Sequence, residues 1–255
     1  MVKNWINILV LIAVTTIYIG CDVVEAPGCL STEGDLVEVE VEVPDFKSIM
    51  VFKRVKLFVS QGPETKVVVR TGENLIDEVN VRVEDSILKL SDRNSCNLFR
   101  DYDVTRIYVT APNVEEIRNS SGLTIENIGP IRWPRLTLLA EDREAEDIFQ
   151  TDGDFTFTDL QVVTFRLEAN GVSTFRLEGV ADNATFILAD GDVRVESPDF
   201  LVDKIFFIHR GTNKLIIHPI SSLRGSIRGI GDVISKNEPP IVEVEELFRG
   251  RLIFD

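Results

Sequence analysis

From Leu36 the chain alternates strictly: LVEVEVEV over 36–43 puts valine at 37, 39, 41 and 43 and glutamate at 38, 40 and 42. Successive side chains of a strand point to opposite faces, so a period of two predicts a half-buried β-strand. Runs of similar character follow as RVKLFVS, KVVVR, VNVRVED, ILKLS and RIYVT. Turn material such as Gln61-Gly62-Pro63 and Thr71-Gly72-Glu73-Asn74 separates them. The one helical expectation is a turn near 74–78. Residues 36–112 thus read as a β-rich N-terminal region.

Beyond Gly122 a second, longer period enters. Thr164–Glu168 and Thr174–Glu178 both spell TFRLE, with Asn170-Gly171 between them. Gly171, Gly191, Gly211 and Gly231 stand twenty apart; so do Leu167, Ile187, Phe207 and Ile227, and so do Phe155, Phe175, Val195 and Leu215. Repetition near twenty residues marks a solenoid, whose units bury their apolar faces only by stacking on one another. Two short strands per coil, joined at glycines that supply a positive φ, would pile like residues into columns at the strand spacing of about 4.8 Å. The expectation is an all-β fold with a β-helical repeat region over 113–255 at about 20 residues per coil. Glu238-Pro239-Pro240 ends the regular coil, and IVEVEELF closes it as a C-terminal cap. A β-sandwich is the rival, because Asn-Gly connections also make hairpins. Nothing in a sandwich, however, requires equivalent residues to recur at twenty over four units.

The N-terminus changes the setting. Lys3, an apolar stretch from Trp5 to Ile19, and Gly20-Cys21 have the layout of a secretory signal over 1–20. The apolar run is shorter than the roughly 20 residues a membrane span needs. Cys21 at the end of that run resembles the bacterial lipoprotein box, although Tyr18 stands where the box usually has an aliphatic residue. Cys21 is thus expected to carry a lipid, with 21–35 as a linker behind the anchor. Cys29 and Cys96 are then left in an oxidising compartment, where such a pair tends to form a disulfide; two free, buried thiols are the alternative.

The formal charge is −15, or −16 once Lys3 leaves with the signal. Such a surface repels phosphate backbones, which excludes nucleic acid and argues against anionic partners. Enzyme chemistry would have to start from Asp152-Gly153-Asp154 and Asp190-Gly191-Asp192, nearly two coils apart, where clustered carboxylates could exchange protons or hold a cation. The plainer reading is that aspartate beside glycine is ordinary turn chemistry. His209 and His218, the only histidines, have no acidic ligand at a diagnostic spacing. No nucleophile elbow, phosphate loop or metalloprotease helix motif is present. Neither catalysis nor a cofactor is expected. Arg166, Glu168, Arg176 and Glu178 would instead form charged rows on the outside of the coil, ion-paired as a solubilising surface.

Three stretches carry a resemblance: DFKSIMVFKRVKLFVSQGPETKVVVRTGENLIDEVNVRVEDSILKL, SCNLFRDYDVTRIYVTAPNVEEIRNSSG and GSIRGIGDVISKNEPPIVEV. In that order they resemble the auto-transporter adhesin, head GIN domain family. The resemblance implies an exported, often lipid-anchored protein of Bacteroidetes-type bacteria, with a right-handed β-helix shaped like that of pectate lyases but without their catalytic residues. It also implies adhesion at the cell surface or in the envelope, by binding a glycan or protein ligand, with a carbohydrate-active enzyme or a purely structural envelope component as alternatives. Gly122, Gly225, Gly229 and Gly231 match the family's turn glycines and read as structural.

Overall fold

A computed structural model describes residues 33–94, 105–143 and 145–255. The signal segment, Cys21, Cys29 and Cys96 lie outside the described residues. Within them the protein is all-β. Seventeen strands join in one sheet that curls, nearly closed, around a single apolar core, and a lone 3₁₀ turn spans Ile76–Glu78.

The longest strands are β11 (Phe155–Ala169), β12 (Thr174–Leu188), β13 (Arg194–His209) and β14 (Leu215–Ile227). Each pairs in parallel with the next. A hairpin at Asn170-Gly171 would have made β11 and β12 antiparallel, so the sandwich reading does not describe this region. In the first half of each strand the partner lies twenty residues on: Phe155, Phe175, Val195 and Leu215 form one buried column. The Phe155 and Phe175 rings stack with centroids 4.9 Å apart and planes at 9°.

Each long strand is bent by a bulge that moves the chain onto a second face. The bulges also shift the register. Beyond the one between Phe157 and Leu160, Leu167 opposes Phe186, nineteen on; beyond the one between Arg176 and Gly179, Phe186 opposes Phe207, twenty-one on. The expected column of Leu167, Ile187, Phe207 and Ile227 is therefore Leu167, Phe186, Phe207 and Gly225. Ile187 pairs with Glu168 and Ile208 and is half-buried, while Ile227 follows Leu188 and His209 in another column. A bulge adds or removes one residue, and one residue exchanges the two faces of a strand.

The same two ladders continue through the first half of the chain, but out of sequence order. Here the strands are β1 (Leu36–Val41), β2 (Ser48–Val51), β3 (Lys56–Gln61), β4 (Lys66–Gly72), β5 (Val79–Glu84), β6 (Ile87–Asp92), β7 (Arg106–Ala111), β8 (Glu116–Asn119), β9 (Ile125–Asn127) and β10 (Arg135–Ala140). Strand β2 lies between β6 and β8, and β3 between β7 and β9, all parallel. Antiparallel pairing is confined to β1 with β4, β4 with β7, and β5 with β6. One ladder runs on through β8 and β10 to the second half of β11, the other through β9 to its first half. The pairing thus crosses residue 112 without a break.

At the far end β15 (Val233–Ser235) stacks on β14, β16 (Ile241–Glu246) on the second half of β14, and β17 (Leu252–Phe254) on β15. The segment expected to close the stack after Pro240 adds another parallel layer to it. Trp133, fully buried, anchors the junction of the two halves by donating its Nε1–H to the carbonyl of Pro112 at 3.1 Å.

Candidate functional site

The edge that carries the acidic turns is held by backbone stacking. Val172 N donates to Thr151 O, Asp192 N to Gly171 O, and Thr212 N to Gly191 O. Gly171 and Gly191 take φ of +90° and +80°, and a Cβ on Gly191 would stand 2.4 Å from Gly171 O. Successive rungs therefore approach too closely for any side chain there. Gly211, Gly229 and Gly231 continue the edge, with Gly231 N donating to Gly211 O and Gly250 N to Gly229 O. Gly122 also has a positive φ, of +72°, and lies beside the Asp152 carboxylate. Gly225 does not belong with the turns: it lies inside β14, where a Cβ would come within 2.1 Å of Phe207 O.

The stacking places Asp152 and Asp192 two rungs apart on one edge, with Val172 between them, which is about 10 Å at the strand spacing. One cation cannot bridge that. Asp154 Oδ1 accepts from Thr174 N (2.7 Å), and Asp192 accepts from Thr212 Oγ1 (2.5 Å) and Asn213 Nδ2 (3.3 Å). Asp190 is exposed. Among the described residues no three His, Cys, Asp or Glu side chains converge as metal ligands would. His209 is fully buried, its Nε2 3.0 Å from Asn213 O, whereas His218 Nδ1 meets Pro198 O at 2.8 Å. The two histidines make separate local contacts.

Chemistry concentrates instead on the outward face of the ladder formed by β8, β10 and the second halves of β11–β14. At its upper end a groove of about 520 Å³ is lined by Glu116, Arg118, Glu141, Arg143, Arg166 and Glu168. Arg118, 7% exposed, donates to the Glu141 carbonyl (2.6 Å) and to its carboxylate (2.8 Å). Arg143 Nε reaches the other carboxylate oxygen of Glu141 (3.1 Å), and its Nη2 reaches Glu168 (2.8 Å). Arg166 Nε completes the chain on Glu168 (2.6 Å). The Arg118 guanidinium lies 4.3 Å from the centre of the Phe149 ring. Burial pushes the Glu141 carboxyl up, but the bonds and charge of Arg118, with those of Arg143, hold it below the ordinary carboxylate range. The result is a closed clip that ties the 141–154 segment to the sheet. Sequence reasoning found Arg166 and Glu168 as outward rows and missed Arg118, Glu141 and Arg143, because these lie outside the repeat.

Lower on the same face a second groove of about 550 Å³ is lined by Phe206, Ile208, Arg224, Ser226, Arg228 and Glu243, among others. Phe206 is 46% exposed, although it stands in a column with Thr185 and Arg224. Arg224 pairs with Glu243 through two bonds of 3.0 and 3.2 Å, while Arg228 Nε donates to Ser226 Oγ at 3.0 Å. No helix among the described residues is long and apolar enough to cross a membrane.

With this geometry in place, comparison with known proteins gives the relationship. The model of the family described as "Putative auto-transporter adhesin, head GIN domain" matches residues 45–239, about three quarters of the chain. The chain belongs to this family. Among solved structures it is similar to a "putative adhesin" from Bacteroides fragilis, with a TM-score of 0.76 at 18% identity over 87% of this chain and 97% of that one. A "putative adhesin" from Parabacteroides merdae gives 0.60 at 16% over 87% and 97%, and a "putative lipid binding protein" from Parabacteroides distasonis 0.58 at 15% over 86% and 97%. At these identities the likeness is one of fold. No curated protein matches the chain.

Proposed function

We propose that this family member is an exported, non-catalytic surface protein that binds a glycan or protein ligand on the outer face of its parallel strand stack. In this reading the stack is a right-handed β-helix of about twenty residues per coil, held at the outer membrane by a lipid on Cys21. The observation that carries it is the shape of the polar surface. Two ladders run through the molecule and present a long outward face with shallow grooves, while Asp154 and Asp192 spend their carboxylates on the backbone and side chains of the next rung. An extended face of this kind suits recognition of an extended ligand, and the descriptions of the structural neighbours as adhesins favour the same reading.

Two measurements test it. Mass spectrometry of protein taken from its native membrane should find an acylated Cys21 as first residue; an intact Met1 would remove the anchor. The mature protein on arrays of glycans, matrix proteins and envelope polysaccharides should bind without releasing product. Turnover of a polysaccharide that Asp190→Ala abolishes would replace this reading with an enzymatic one.

A further inference from the structure

The two grooves on the outer face both carry arginine and glutamate and differ in how those residues are paired. In the upper groove Arg118, Arg143 and Arg166 are all joined to Glu141 or Glu168, so none offers a charge to a visitor. In the lower groove Arg224 is likewise neutralised by Glu243. Arg228 is not: its Nε donates to the Ser226 hydroxyl, and the residue is exposed. Arg210 and Arg228 each follow a paired residue, His209 and Ile227, by one position, so they occupy successive rungs beside the groove. Both are exposed, and neither forms an ion pair among the described residues. Like charges on neighbouring strands repel, so an anion placed between them gains from both. Phe206, a half-exposed ring on an otherwise polar row, lines the same groove as Arg228 but stands four positions before Arg210, about 13 Å along the strand.

An exposed aromatic face next to planar, hydrogen-bonding side chains matches a pyranose ring, whose C–H face is apolar and whose rim is polar. We propose that this groove is a saccharide site for a sugar bearing an anionic substituent, a carboxylate or a sulfate. One sugar ring lies on Phe206 with its hydroxyls bonding the Arg224–Glu243 pair, and the anion of a neighbouring sugar of the same oligosaccharide sits at Arg228 and Arg210. The strongly negative charge of the chain, which argues against a polyanion, does not exclude one anionic group here. At physiological ionic strength charges beyond about 8 Å are largely screened, and an anion held between Arg210 and Arg228 is set apart from Glu245, which pairs with Ser226 two residues back along the strand. The inference rests on the ligand-binding reading above and narrows it to one site and one ligand class.

Calorimetric titration of the mature protein with a hexuronic acid tetramer, its methyl ester and a sulfated neutral tetramer tests the site and separates the two anions. The acid, the sulfate or both should bind about tenfold more tightly than the ester, the size of effect a charge-assisted bond supplies. Arg228→Gln should bring the anionic sugar down to the ester's affinity. Phe206→Ala should weaken acid and ester alike by about tenfold. Arg82→Gln, on the far edge strand, should change nothing, and unchanged thermal unfolding would show that each variant is folded. Equal affinity for all three sugars, no binding of any, or a Phe206→Ala variant that binds as well as the parent would overturn the proposal. Array binding to other ligands would leave the adhesin reading standing in that event; silence on the array as well would remove both.

Discussion

The two halves of this sheet share their ladders and differ in how the chain travels through them. From β11 to β14 each strand stacks on its predecessor, and the four make one continuous parallel block. Before β10 the chain lays down β2 and β3, leaves to build β4 to β7, and returns so that β2 and β3 end inside the stack. Contacts in the later half join residues about twenty apart, whereas β3 pairs with β7 at a separation of fifty. What differs is therefore the range of the contacts: each later strand pairs with its neighbours in sequence, whereas β2 and β3 are held by strands laid down much later in the chain.

Deletion sharpens that contrast most strongly. The offsets from β11 to β12 and from β12 to β13 vary between nineteen and twenty-one, yet β11 and β13 are forty apart on both faces: Phe155 to Val195, and Leu167 to Phe207. Removing Gly171–Asp190 takes out β12 and should leave a uniform register of twenty. The shortened protein should fold, with its melting temperature lowered by no more than about 10 °C, the equivalent of a few kcal/mol. Removing Ala169–Glu178 joins half-rungs, puts phenylalanine where turns belong, and should yield no soluble folded protein. Removing β2 and β3 should fail just as completely, because β6, β7, β8 and β9 all lose their partners. Circular dichroism and thermal unfolding of the three variants decide the matter.

That asymmetry also explains what could be read from the sequence. The columns of Phe155 and of the turn glycines were legible because stacked rungs select the same residue type at a fixed interval. The strand at Leu36–Val41 and the turn near Ile76 were legible because they depend on local pattern, but the strand is not half-buried as expected: among the described residues β1 pairs only with β4, and Val39 is exposed. Ile187 was misplaced because a bulge leaves no sequence mark beyond a single-residue shift. The insertion of β2–β3 between later strands is a choice among non-local pairings that alternation cannot rank. Of the two grooves only Arg166 and Glu168 were legible, as an outward charged row: whether a guanidinium is neutralised depends on carboxylates from other strands and from the segment after β10.

Smaller in effect is the clip that ties β8 to the segment after β10, where the earlier half ends. Arg118 comes from β8, and Glu141 directly follows β10. Glu141→Ala leaves a buried guanidinium without its carboxylate, and the expected loss is about 3–5 kcal/mol. Replacing both residues with leucine and methionine should recover most of it. Equilibrium denaturation in urea measures both, and a loss below about 1 kcal/mol would show that the clip is solvated. Because the Glu141 carboxyl titrates below its ordinary range in the folded protein, its contribution is present above the unfolded carboxylate pKa and is lost as pH falls through the folded value.

Glycines give a finer comparison. Gly225 in β14 has no room for a methyl group, since the obstacle is the Phe207 carbonyl of the next rung, whereas Gly129 beyond β9 has φ +72° and nothing within 4 Å of a built Cβ. Gly225→Ala must move backbone and should cost about 2–3 kcal/mol. Gly129→Ala meets only the left-handed penalty, about 1 kcal/mol. Equal losses at the two sites would mean that the stack yields to side chains more easily than its spacing implies.

The least damaging perturbation is mild acid, which stays above the range where Glu141 takes up its proton and should act on the later half. Both histidines lie there, and His209 stands fully buried between the stacked residues Leu188 and Ile227. Burial lowers its pKa below the usual histidine range, against the opposing pull of its bonds to the Asn213 and Gly231 carbonyls and of the Asp232 charge. With Nε2 donating to Asn213 O, Nδ1 is left with no partner, so a second proton would sit in the core without an acceptor. The unfolded chain then binds a proton that the folded one refuses. Stability is complete above the unfolded histidine pKa of about 6.5 and declines below it, by up to about 1.4 kcal/mol per pH unit until the folded value is reached. Hydrogen exchange at pH 7 and pH 5, corrected for intrinsic rates, should show faster opening of β13 and β14 at the lower pH with β2 and β3 little changed. His209→Gln keeps an amide to donate to Asn213 O and does not titrate. In that variant the difference between the halves should disappear, and its persistence would show that another group of the later half carries the acid sensitivity.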